Sequence, residues 1–199
     1  MASLEIVASR PEWPEEFRRA ASRLRAAFGG DALRIDHIGS TAVPGLEAKD
    51  VIDIQVSVAR LEPAAPIAAL LFTAGLTYRP DLDRDHVPEG ATGPPEAWTK
   101  VTAFSPERAI DGRREPPLHV HVRAAGSLNE RYALLFRDHL RAHPADAGTY
   151  GLIKRELVRL FPGDRDAYYA VKDPVCDLVI GHAEAWARAT GWKPGPSDG

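Results

Sequence analysis

Residues 37–58, HIGSTAVPGLEAKDVIDIQVSV, bring a Gly-Ser pair, a lysine and a strand-borne aspartate into one short run. Gly39 lets the backbone approach a ligand closely. Ser40 and Thr41 follow it with hydroxyl donors. Amides that point outward together at such a turn, or at a helix N-terminus, hold phosphate oxygens. Lys49 adds a point charge for a phosphate. Asp53 stands thirteen residues after Ser40, between Ile52 and Ile54. An acid in so apolar a strand needs a reason, and holding a metal ion is one. Together these groups form the working core of a nucleotidyl-transfer site. The plainer alternative is that Gly39 makes a tight turn and Ser40 caps a helix.

Further candidates lie downstream. In LHVHV, His119 and His121 are two apart on an alternating run, so both rings project from one face. Two imidazoles at that spacing can chelate one metal, or they can be polar partners on a wet sheet face. Arg137 and Arg141 are four apart and share a helix face, where they could grip an anion together or simply be solvated. Tyr150 and Lys154 also share a face, and Lys154 is either a phosphate partner or a surface lysine. Lys172 falls one turn after Tyr168 and faces the same choice. His37, just before the Gly-Ser pair, is as suited to a structural hydrogen bond as to catalysis.

These residues need elements to position them. Phe17, Ala21, Leu24 and Phe28 make an apolar stripe, so the pattern predicts a helix over 14–28, opened by Pro14 and closed by Gly29-Gly30. Residues 33–38 and 51–58 alternate and read as strands. In the second, Asp53 and Gln55 share the polar face, toward solvent or a site. A helix over 62–74 precedes a short strand at 76–79. Residues 80–96, rich in Asp, Gly and Pro, read as a long surface loop. Strands follow at 98–104 and 118–122, separated by a turn-rich stretch. Ser127 with Glu130 forms a capping box for a helix over 128–142. Helices over 144–161 and 164–189 complete the order, the last open to a bend at Pro174. Leu4–Val7 reads as an edge strand or extended arm, and the tail GWKPGPSDG as a frayed end. The order implies an α+β fold, a mixed sheet packed on helices, with residues 1–125 as an α/β core and 126–192 as C-terminal helices packed on it as one unit.

Composition limits the function classes. The chain has 199 residues, 44% hydrophobic and 27% charged, with a formal net charge of −3. That balance gives no strong nucleic-acid signal, and the four tryptophans are too scattered for a base-stacking platform. The single cysteine, Cys176, excludes an internal disulfide and a cysteine-based zinc cluster. No apolar run reaches the ~18 residues that cross a bilayer. The expectation is a cytoplasmic protein with no membrane partner. A partner protein is left open, and no segment identifies one.

The run over 37–58 resembles the signature of polymerase-β-type nucleotidyltransferases, which is hydrophobic-Gly-Ser, a spacer of about a dozen residues, then Asp-hydrophobic-(Asp/Glu)-hydrophobic. More closely, HIGSTAVPGL…AK…IDIQV resembles the GrpB family, whose members are sometimes fused behind dephospho-CoA kinase. LHVHV, the segment FRDHLRAHPADAGTYGLIK and AYYAVKDPVCDLVI extend the resemblance over most of residues 34–184. The resemblance implies a nucleotidyltransferase-like fold with its site at the front edge of a short mixed sheet. It implies a nucleotide or other phosphorylated small molecule on Gly39, Ser40 and Thr41, with Arg137, Arg141 and Lys154 assisting. Asp53 and Lys49 would be the catalytic pair, with a divalent metal (magnesium or manganese, zinc as the alternative) on Asp53, His119 and His121. Two departures matter. Gln55 stands where the superfamily has a second acid, and histidines stand on the later strand where it has a third. A non-catalytic nucleotide-binding or accessory domain is therefore the alternative.

Overall fold

The strand that carries Asp53 dictates much of the architecture. In β2 (Ile52–Val58) the residues Ile52, Ile54, Val56 and Val58 are all buried on one face. They pack under α1 (Trp13–Phe28) and α2 (Ala64–Thr73), with Trp13, Phe17, Leu24 and Leu71 closing the main core. The computed structural model describes residues 4–199. Its five-stranded sheet has the order β1-β2-β7-β4-β3, with β1 at Arg34–Ile38, β3 at Thr77–Tyr78, β4 at Val101–Ser105 and β7 at Leu118–Ala124. Only the β2–β7 pair is parallel, so the sheet is mixed, as expected. Its register sets Asp53 opposite His119, Gln55 opposite His121 and Ser57 opposite Arg123.

The second face of the sheet is polar, and half of it is covered. Helix α3 (Leu128–Ala142) lies over it, and the Gln55 amide reaches the Glu130 carbonyl at 3.4 Å. Gln55 and Ser57 have no exposure, so the polar face does not open to solvent along its whole length. The end with Asp53 and His119 stays accessible. Ser127 caps α3 by accepting from the Glu130 amide, and Glu130 returns a bond to the Gly126 amide. Helix α4 (Pro144–Leu160) and helix α5 (Arg165–Thr190) follow, and α5 continues through Pro174 as a single element. No helix among the described residues is long and apolar enough to cross a membrane.

Two local expectations are corrected and two are refined. The stretch 105–117 is not merely turn-rich: β5 (Arg108–Ile110) and β6 (Arg113–Glu115) form a hairpin in it. The Leu4–Val7 run is the extended arm rather than the edge strand, and it pairs through one bridge, Val7 to Ala48. The tail is not frayed. Ser197 and Gly199 bond the Ile35 backbone, and Asp198 accepts from the His37 amide at 3.0 Å, so the tail covers the free edge of β1. The loop over 80–96 is anchored through Asp85, described next.

Candidate active site

Gly39 and Asp53 are in contact. Gly39 adopts φ 70 and ψ −170, a region open in practice only to glycine. A Cβ built there would lie 2.5 Å from Asp53 Oδ2, so the missing side chain is what lets the turn press against the carboxylate. Ser40–Ala42 then makes one turn of 3₁₀-helix. The Ser40 hydroxyl accepts from Lys154 Nζ at 2.8 Å, and the same ammonium donates to the Glu47 carbonyl. The sequence elements singled out at 39, 40, 53 and 154 therefore meet at one place.

Opposite the turn, both imidazoles face a single carboxylate oxygen. Asp53 Oδ1 is 3.5 Å from His119 Nδ1 and 3.8 Å from His121 Nε2. Burial pushes the Asp53 carboxyl up, but the two histidines outweigh it and hold the group below the usual carboxylate range. Burial pushes His121 down to about 4, against the pull of Asp53 and with help from Lys100 and Arg123. His121 is thus neutral near neutral pH. Its Nδ1 is 3.3 Å from Lys100 Nζ, and an ammonium can only donate. Nδ1 must accept, so Nε2 carries the proton and directs it at Asp53.

That tautomer bears on the expected metal. A ligating nitrogen must be bare. At His121 this would place N–H against the Lys100 ammonium. Among the described residues no group of three His, Cys, Asp or Glu side chains is arranged to hold a metal ion. The trio Asp53, His119 and His121 does not fit one. Gln55 cannot complete the set, because Arg123 donates to its carbonyl oxygen at 2.7 Å.

The sequence reading missed the group behind this arrangement. Asp85, from the long loop, accepts from Lys100 at 2.7 Å, from Arg123 at 2.8 and 3.0 Å, and from Asn129 at 2.9 Å. Arg123 is third on the His119, His121 alternation, so its face was readable. Asp85 was not distinguishable among the neighbouring acids of PDLDRDH.

Three expected phosphate ligands are occupied elsewhere. The Thr41 hydroxyl bridges His37 Nε2 at 3.0 Å and the Val51 carbonyl at 3.2 Å. Arg137 is buried and spends its donors on the His37 carbonyl, Asp138 and Asp198. Arg141 donates to the Ala42 carbonyl at 2.9 Å. His37 stacks on Phe17 with ring centres 4.8 Å apart, and burial pushes it down to about 3, which makes it a neutral structural group. A cleft of roughly 630 Å³ lies on this side of the turn, between Trp13, Phe17, Val43 and Arg141, and does not include Asp53.

A mixed five-stranded sheet backed by helices, with three further helices at the C-terminal end, is the architecture of a known structure. The crystal structure of the conserved protein GrpB from Enterococcus faecalis matches with a TM-score of 0.69 and 28% identity, over 92% of this chain and 99% of that one. The family model described as GrpB protein matches residues 3–181, and the chain belongs to the GrpB family. A dephospho-CoA kinase of Mycolicibacterium paratuberculosis is 38% identical over 97% of this chain and 49% of its own length. The UPF0157 protein BH1888 of Halalkalibacterium halodurans is 32% identical over 73% of this chain and 64% of its own. The chain thus spans about half the length of that kinase relative, or less in others. It contains no Gly-x4-Gly-Lys-(Ser/Thr) segment, so a kinase-type phosphate loop is not what the two share.

Proposed function

We propose that this chain binds a nucleotide or another phosphorylated small molecule, with a phosphate at the Gly39-Ser40 turn beside Asp53. The observation that carries this is the contact of a buried lysine, Lys154, with the Ser40 hydroxyl. Burial, with Lys172 adding to it, pushes Lys154 down to about 7, so its charge lacks adequate compensation in the free protein. A phosphate oxygen would supply it. The kinase name of several relatives is consistent with a nucleotide-like ligand.

A second reading is nucleotidyl transfer, with Lys49 and Asp53 as the catalytic pair. It is favoured by one feature, the glycine contact that holds Asp53 against the turn. Release of pyrophosphate from a nucleoside triphosphate, lost in Asp53→Ala, would establish it. The single carboxylate and the committed Gln55 favour binding without turnover.

A melting-temperature panel of nucleotides tests the first reading. A ligand at ~100 times its Kd stabilises by about 2.7 kcal/mol. In a chain of this size that raises Tm by roughly 5–10 °C. The shift is expected in the wild type and should shrink strongly in Ser40→Ala. An absence of shift with every nucleotide would contradict the reading.

A further inference from the structure

The surroundings of Lys154 carry the site's chemistry further. Lys49, from the segment before β2, donates to the Tyr169 hydroxyl at 2.9 Å and lies 5.0 Å from that ring's centre. Lys172, from α5, lies 5.8 Å from the same ring. Its Nζ is 3.4 Å from Cys176 Sγ, and that sulfur is 3.5 Å from the Tyr150 hydroxyl. The Tyr150 ring in turn carries Lys154 Nζ at 4.7 Å from its centre. Three lysines from three distant segments are thus joined through Tyr150, Tyr169 and Cys176, next to Ser40.

Carboxylates are scarce among them. Lys172 has Asp173 at 3.6 Å, while Lys49 and Lys154 make no ion pair among the described residues. The nearby Glu47 carboxylate is taken by Arg155 at 2.7 Å. Lys154 is buried, and Lys49 and Lys172 are partly so. Charge withdrawn from water is normally paired, because desolvation costs more than hydroxyls and aromatic faces return. The hydroxyl of Tyr168, a fully buried residue whose ring centre lies 5.4 Å from Lys49 Nζ, also lacks a partner. Such a cluster is completed by an anion with several charges. On the Asp53 side, by contrast, no metal-binding group is assembled among the described residues.

We infer that Lys49, Lys154 and Lys172 supply the counter-charge for a bound di- or triphosphate, so that the site takes a polyphosphate without a divalent metal. This rests on the proposed phosphate site at Ser40 and specifies how its charge is neutralised. It also reverses the role of Asp53. Without a metal between them, the Asp53 carboxylate repels the phosphates and limits affinity.

Calorimetric titration with ATP and with inorganic tripolyphosphate, in EDTA and in magnesium, tests this. Both probes are expected to bind in EDTA. Lys154→Met and Lys172→Gln should each weaken binding by about tenfold or more, the scale of one charge-assisted hydrogen bond. Asp53→Asn should bind as tightly as the wild type or tighter. Lys172 keeps 23% of its side chain exposed, against a buried Lys154, so its variant remains informative should Lys154→Met misfold, which circular dichroism would reveal. Binding that requires magnesium and is lost in Asp53→Asn would overturn the inference while leaving the phosphate site standing. Binding in EDTA that ignores both lysine variants would also overturn it. No binding of either probe under either condition would overturn the phosphate site itself.

Discussion

Replacing Asp85 by alanine is expected to destabilise the protein by about 3–5 kcal/mol, the cost of leaving buried partner charges uncompensated. Lys100 and Arg123 keep only 11% and 6% side-chain exposure, and Asp85 is the carboxylate that pairs with both. Without it, two cations face each other beneath α3, and Lys100 loses the anchor that holds it on His121. Tm should fall by roughly 6–20 °C. The effect carries a pH signature. Burial pushes the Asp85 carboxyl up, but Arg123 and Lys100 outweigh it and hold the group well below its ordinary value of 3.8. A depressed folded pKa gives stability that is present above that ordinary value and is lost as pH falls below it. Denaturant unfolding at about pH 7 and about pH 3 should therefore show a large gap between wild type and variant at the higher pH and a smaller gap at the lower. An Asp85→Ala protein as stable as wild type at neutral pH would show that the network is not what holds the loop and α3 to the sheet.

The second large effect belongs to Gly39→Ala. The backbone there sits in a region that costs other residues about 1–3 kcal/mol. The new Cβ would also come within 2.5 Å of Asp53 Oδ2 and 3.0 Å of Asp53 Cβ. The carboxylate is the flexible partner, so it is the group that must yield, and its contacts with His119 and His121 go with it. Gly45→Ala provides the comparison. It also has a positive φ, 78, but a Cβ there meets nothing within 4 Å. Gly45→Ala should lose stability only, whereas Gly39→Ala should lose stability and, because the strained turn also displaces Ser40, nucleotide binding together. Equal binding in the two variants would mean that the Gly39–Asp53 contact does not shape the site.

How much of this was readable in the sequence depended on the range of the interaction. Alternation in 51–58 and 118–122 set Asp53 on one strand face and both histidines on another. That is local geometry, and it held. The parallel pairing that puts Asp53 opposite His119 spans more than sixty residues, and no local pattern encodes it. Gln55 looked like a member of the open face beside Asp53. It is buried because α3 crosses that end of the sheet. Arg137 looked like an anion grip on a helix surface, but Asp198 in the tail reaches it at 2.7 Å across sixty-one residues. The metal reading at Asp53, His119 and His121 treated the imidazoles as free ligands. Lys100 and Asp85, from a stretch without periodicity, determine which His121 nitrogen holds the proton. Each lysine of the cluster was nameable as a phosphate partner, but their convergence was not, since positions 49, 154 and 172 meet only when α4 and α5 pack beside the turn.

The most direct measurement is a crystal structure of the protein soaked with ATP. The account predicts phosphate oxygens within hydrogen-bonding distance of Ser40 and Lys154, alongside Asp53. Phosphates seated instead in the cleft between Trp13, Phe17 and Arg141, or an unchanged Ser40–Lys154 pair in crystals saturated with ATP, would contradict it.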